Sequence, residues 1–267
     1  MQNNKQEVLD SSRKIIVKIG SNVLTTKEGK MDRAAIADIS GQVIELVKLG
    51  KQVVLVSSGA EVSGVSAVER WERHGDMNYK QAMCAIGQVE LMIAYKENFS
   101  KSGLHVGQLL VTANDFENDS STLHIRNTLF TLLDEGVVPI INENDSVSTE
   151  EISLGDNDNL AALTSNLWNA DLLVLMSDID GLYDKSPKQH KDAILLPEVD
   201  LNSSDLDSVD ASGKGVLGTG GMESKINAAK KVGHYGTPLL LVNGKCKGIL
   251  TDILAGEDNG TLFTGGK

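Results

Sequence analysis

Residues 14–60 read KIIVKIGSNVLTTKEGKMDRAAIADISGQVIELVKLGKQVVLVSSGA, and they decide the fold. Lys14–Ile19 (KIIVKI) is a short, β-branched apolar run that predicts a strand, and Gly20-Ser21-Asn22 breaks it. From Asp32 to Leu49 the apolar positions Ile36, Ile39, Val43, Leu46 and Val47 recur at helical spacing, and Gly50 closes the segment. Gln52–Val56 (QVVLV) is a second strand, ending in Ser57-Ser58-Gly59-Ala60. Strand, helix, strand is the βαβ pattern of a parallel sheet covered on both faces.

The alternation continues along the chain. Residues 78–102 predict a long helix stopped by Gly103, His105–Val111 a strand, and Thr122–Glu135 a helix ended by Gly136. Val137–Ile141 (VVPII) is a buried strand whose Pro139 points to a sheet margin. A hairpin is expected at 147–154, a helix over Asn159–Asn169 and a strand over Asp171–Met176. A helix over Met222–Gly233, a strand over Pro238–Val242 and a short helix at 247–255 follow. Residues 1–13 are polar and are expected to form a disordered tail, and 184–221 to be the least structured part. No linker or repeat divides the rest. The expectation is one α/β domain over 14–267, a three-layer αβα sandwich on a mostly parallel sheet.

Composition narrows the function. The 267 residues carry 25 Lys+Arg against 37 Asp+Glu, a formal charge of −12 that lacks the footprint of a nucleic-acid binder. Aromatics at 4% argue against base-stacking platforms. Cys84 and Cys246 make no disulfide framework and read as reduced thiols, so a cytoplasmic location is expected. His74, His105, His124, His190 and His234 are scattered, with no zinc-binding spacing. No apolar run approaches the ~18 residues of a membrane span, and no apolar leader core is expected at the start.

In such sheets ligands bind off the carboxyl ends of the strands. Those positions hold Gly20-Ser21, Ser57-Ser58-Gly59-Ala60, Asn142-Glu143-Asn144-Asp145, Ser177-Asp178 and Asn243-Gly244. Each alone is ordinary turn chemistry; together they point to a shared site. Gly213–Gly221 has five glycines in nine residues and opens a helix, a geometry suited to an anion. Lys225 falls in that helix's first turn, where its charge opposes the helix dipole and a phosphate ligand would explain it. Residues 213–218 match G-x-G-x-x-G, but no strand precedes them, and no Walker A sequence is present. Lys18 lies inside an apolar strand, so its ammonium either snorkels at an edge or reaches a bound anion. Gly155-Asp-Asn-Asp-Asn159 supplies four capping residues where a helix needs one. The surplus serves ligand contacts, a metal, or the positioning of lysines.

Lys18-Ile-Gly-Ser-Asn-Val-Leu24, Ser57-Ser-Gly-Ala60, Ile141-Asn-Glu-Asn-Asp-Ser-Val147, Gly155–Asn159 and Gly218-Thr-Gly-Gly-Met-Glu-Ser-Lys225 occur in this order. As a set, over about residues 13–265, they resemble the amino-acid kinase family, most closely its members that phosphorylate the side-chain carboxylate of glutamate. The resemblance implies an eight-stranded, mostly parallel sheet and an ATP- and Mg²⁺-dependent transfer giving glutamyl 5-phosphate, the first step of proline biosynthesis. It implies that Lys18 and Lys225 contact the transferring phosphoryl group and that Asp158 orients them. It places glutamate on Ser58, Asp145 and Asn157. It places ATP on Lys18, Ser177, Asp178, Thr219, Gly220, Gly221, Met222, Glu223, Ser224 and Lys225, with Mg²⁺ held mainly by the ATP phosphates. Ser177 stands where many relatives have Thr, and the hydroxyl is kept. The resemblance further implies a homo-oligomer (dimer or tetramer), feedback inhibition by proline and handover to glutamyl-phosphate reductase. Many bacterial relatives carry an added RNA-modification-enzyme-like domain, whereas this chain is expected to be the kinase domain alone. A second reading is another carboxylate or carbamate kinase of this fold. A third is a nucleotide- or amino-acid-sensing module without turnover, against which the retained Lys18, Asp158 and Lys225 speak.

Overall fold

Every apolar run that predicts a strand forms one, because parallel strands buried on both faces need side chains that pack on both. The computed structural model of the protein describes residues 4–68, 76–147, 156–187, 189–203 and 221–266. The strands are β1 (Lys14–Ile19), β2 (Gln52–Ser57), β3 (Val106–Val111), β4 (Val138–Glu143), β5 (Leu172–Ser177), β6 (Glu198–Asp200), β7 (Leu239–Asn243) and β8 (Thr261–Thr264). The helices are α1 (Asn4–Ser11), α2 (Arg33–Lys48), α3 (Ala60–Ala67), α4 (Met77–Ser100), α5 (Asp119–Asp134), α6 (Asp156–Trp168), α7 (Met222–Gly233) and α8 (Ile249–Leu254). The hairpin expected at 147–154 falls almost wholly outside the described residues.

The sheet has eight strands in the order β3-β4-β2-β1-β5-β7-β8-β6. Its pairs are parallel except β7 with β8. The two-residue period of a strand sorts the side chains into two cores. Ile15, Val17, Val53, Leu55 and Val174 pack with Ile36 and Val43 of α2, Leu91 of α4 and Leu250 of α8. Ile16, Val54, Val56, Leu173 and Leu175 face the other way, onto Ile125 of α5, Leu160 of α6 and Ile226 of α7. These are the three layers that the βαβ reading implies. The same period carries Lys18, two residues beyond Ile16, to the α6 and α7 face.

Two expectations are corrected. Residues 4–13 are not a disordered tail: α1 buries Leu9 completely, a burial worth about 2 kcal/mol. The buried Lys51 ammonium donates to the carbonyls of Leu9 (2.9 Å), Asp10 (2.7 Å) and Ser12 (2.9 Å). Those carbonyls are otherwise orphaned at a helix end, and a cation there suits the dipole. Burial pushes the Lys51 ammonium down, opposed by the Asp10 and Asp171 carboxylates. Polarity hid this helix, which needs one leucine and a distant lysine. Second, Pro139 does not mark a margin, since β4 is flanked by β3 and β2. Val138 N–H bonds the His105 carbonyl, so the Pro139 nitrogen turns toward β2, whose pairing with β4 starts only at Leu55↔Ile140. The missing donor costs no ladder bond there.

Helices α3 and α4 touch backbone to backbone. A Cβ on Gly87 would lie 1.8 Å from the Ala60 carbonyl oxygen, and one on Gly64 would lie 2.0 Å from that of Met83. This contact fixes Gln88 relative to the β2–α3 loop that carries Ser58. No helix among the described residues is long and apolar enough to cross a membrane. We expect Gly87→Ala to cost about 3 kcal/mol, because both obstructing atoms belong to main chains that cannot yield separately. Urea denaturation measures it, and wild-type stability would show that the helices can part cheaply.

Candidate functional site

Asp158 lies in the first turn of α6 and is completely buried. Its carboxylate oxygens meet two lysines from different elements. Lys18 Nζ of β1 lies 2.5 Å from Oδ1, and Lys225 Nζ of α7 lies 3.3 Å from Oδ2. The Lys18 contact is an ion pair by distance, not aligned as a hydrogen bond. Ser224 Oγ donates to Oδ2 at 2.8 Å and also lies 2.8 Å from the Gly221 carbonyl. Burial alone would raise the Asp158 carboxyl. The ammonium groups of Lys18 and Lys225, with the close Lys18 contact and the Ser224 hydrogen bond, overcome that and bring it to about 2. Burial lowers Lys225, with the Lys18 charge adding to it, while Asp158 and Asp178 hold it up. Two buried ammonium groups thus meet on one buried carboxylate.

Space beside that charge is kept by glycine. A Cβ on Gly20 would approach the Met176 carbonyl to 3.2 Å and Lys18 Nζ to 3.8 Å. At the end of β5, Ser177 and Asp178 lie 3.3 Å apart, and Asn22 Nδ2 donates to Asp178 at 3.0 Å. Gly221 caps α7, Met222 packs on the core, and Glu223 is exposed. Thr219 and Gly220 lie outside the described residues.

A second cluster adjoins the first through Asn157. Its Nδ2 donates to Ser58 Oγ at 2.8 Å and to Asn142 Oδ1 at 3.0 Å. Asn142 Nδ2 in turn donates to Gln88 Oε1 at 2.8 Å. Asp145 lines a cavity of about 560 Å³ with Cys84, Gln88 and Glu143. Cys84 is buried; burial, with the Asp145 carboxylate against it, pushes its thiol up. The structure brings Ser58 and Asn157 into direct contact, and Lys18, Asp158 and Lys225 likewise. Sequence reasoning assigned no role to Asn142, although Asn142 stands among the strand-end residues, nor to Gln88. A glutamine inside a long helix carries no local signal. Ser224, expected at the nucleotide, here braces Asp158.

Residues 13–243 match the model of the amino acid kinase family. A glutamate 5-kinase of Alkaliphilus metalliredigens is 52% identical over 98% of this chain and 99% of its own length. A glutamate 5-kinase of Pelobacter propionicus is 44% identical over 97% of this chain and 69% of its own. Among solved structures, the carbamate kinase of Giardia lamblia bound to AMP-PNP superposes with a TM-score of 0.67 at 15% identity, covering 96% and 99% of the two chains. A UMP kinase from Bacillus anthracis gives 0.61 at 17%, covering 95% and 96%. These two likenesses show the fold.

The Asp158 cluster has a stability signature. Its carboxyl falls from 3.8 to about 2 on folding, so the stabilisation, about 2 kcal/mol, is complete above about pH 4 and is lost as pH falls through about 2. Asp158→Asn should cost about 3–5 kcal/mol at pH 7, because two buried ammonium groups lose their counter-ion. In urea melts that gap should narrow below pH 4. Equal stability of the two proteins at pH 7 would contradict the charge assignment.

Proposed function

The chain belongs to the amino acid kinase family and transfers the γ-phosphoryl group of ATP to the side-chain carboxylate of glutamate, and we propose that Lys18, Asp158 and Lys225 carry that transfer. The observation behind the assignment is the pair of buried ammonium groups on one carboxylate. A glutamate carboxylate is already a nucleophile, so the step needs no general base. One carboxylate oxygen bonds to the γ-phosphorus while the bridging P–O bond to ADP breaks, and no proton moves. The obstacle is repulsion between two anions in a chain of net charge −12. Phosphoryl transfer is catalysed mainly by alignment and charge stabilisation. In this reading Lys18 and Lys225 take the charge of the equatorial oxygens, and Asp158 holds both ammonium groups in place.

Ser58, Asp145 and Asn157 hold glutamate, with the ammonium of the substrate on the carboxylate of Asp145. Ser177, Asp178 and the segment 219–225 hold ATP. Among the described residues no three His, Cys, Asp or Glu side chains converge as a metal cage. The excess positive charge fits a triphosphate, and Mg²⁺ carried on its phosphates would neutralise part of the charge. The product is an acyl phosphate and labile to water, which favours rapid transfer to a reductase.

ADP release should depend on glutamate and not on carbamate, aspartate or acetylglutamate. Lys225→Ala should lower kcat by about 10²-fold or more. Asp145→Ala should raise KM for glutamate far more than KM for ATP. Steady-state kinetics decide both: an unchanged kcat in the first would make Lys225 a binding residue, and equal KM changes in the second would remove Asp145 from the glutamate site.

A further inference from the structure

The direction of every amide in the second cluster follows from one backbone group. Glu143 N–H can only donate, and it bonds Asn142 Oδ1 at 2.9 Å. That fixes which end of Asn142 is oxygen. The Nδ2 of Asn142 must then meet an acceptor, so the atom of Gln88 facing it is Oε1. The Asn157 atom facing Asn142 Oδ1 must be a donor, so it is Nδ2. The far ends of the two outer amides are thereby determined. Gln88 turns its Nε2 away as a donor, and Asn157 turns its Oδ1 away as an acceptor. Both atoms are buried and have no hydrogen-bond partner among the described residues. Gln88 is 8% exposed and lines the cavity beside Asp145.

We infer that Gln88 Nε2 donates a hydrogen bond to the α-carboxylate of the amino-acid substrate and so selects for that group. The inference rests on the glutamate-kinase reading above and deepens it. Asn157 directly precedes Asp158, whereas Gln88 is two hydrogen bonds further on, through Asn142. The substrate's side-chain carboxylate must reach the Lys18–Lys225 pair, so its α-carbon end lies toward Gln88. At that end an ammonium group requires acceptors, which Asp145 and Asn157 Oδ1 supply. A carboxylate requires a donor, and the orphaned amide N–H of Gln88 is one. A buried donor without a partner is costly, and a charged acceptor relieves it.

The test compares glutamate with γ-aminobutyrate, which keeps the reacting carboxylate and lacks the α-carboxylate. Glutamate turnover by the wild-type protein tests the function reading by itself. Gln88→Leu should raise KM for glutamate by about 10- to 100-fold and leave KM for ATP unchanged. Its loss of kcat/KM on γ-aminobutyrate, which lacks the group that Gln88 binds, should be at least about tenfold smaller than its loss on glutamate. Gln88→Glu keeps the acceptor for Asn142 and sets a second carboxylate against the substrate, so its loss on glutamate should be at least as large. A general packing role for Gln88 would lower kcat/KM for both substrates equally. That result, or an unchanged KM for glutamate in either variant, would overturn the inference while leaving the kinase reading intact.

Discussion

Two lysines held on one buried carboxylate are the constraint around which this molecule is arranged. Removing a charge from water costs several kcal/mol, and a single Asp158 cannot neutralise both Lys18 and Lys225. The cluster is therefore tolerable as structure and incomplete as electrostatics. In the reading proposed above, the cluster receives the phosphoryl group in transfer. Asp158 is held well below the ordinary carboxylate range by the same two ammonium groups it restrains, so the three groups are mutually dependent.

The fold brings these groups together from separate stretches of chain. The alternation of β1 turns Lys18 to the α6 and α7 face, and the start of each of those helices meets it there. The β1 strand sits between β2 and β5, so strand ends from both halves of the sheet surround Lys18. The second cluster is built differently, as a relay of amides whose polarity is set by the Glu143 N–H. One side works by charge and the other by the direction of hydrogen bonds. They meet at Asn157 and Asp158, adjacent residues in a segment where one helix cap would have sufficed.

Much of this was legible in the residues. The strands β1, β2, β4 and β5 follow from continuous apolar runs, and α2 from helical spacing and its terminal glycine. Lys18 stood out because a charge interrupts a buried strand. Lys225 stood out because its charge opposes a helix dipole. Asp158 needed the surplus of caps and the resemblance together. Other features depend on contacts distant in sequence. The α1 helix owes its place to Lys51, some forty residues on, and its polar sequence conceals that. Pro139 looks like an edge signal until the pairing with β2 is known to start after it. Gln88 is an unremarked polar residue in a helix until Gly87 brings α4 onto α3 and Asn142 fixes its amide.

The central claim is that Asp158 restrains the Lys18 and Lys225 ammonium groups for the transferring phosphoryl group. Carbon-13 labelling of the lysine ε-positions, followed by NMR over a pH series with Lys225 assigned, reads that coupling directly. The account predicts that Asp158→Asn lowers the Lys225 titration further, since burial is then no longer opposed by that carboxylate. An unchanged Lys225 titration in Asp158→Asn would contradict it.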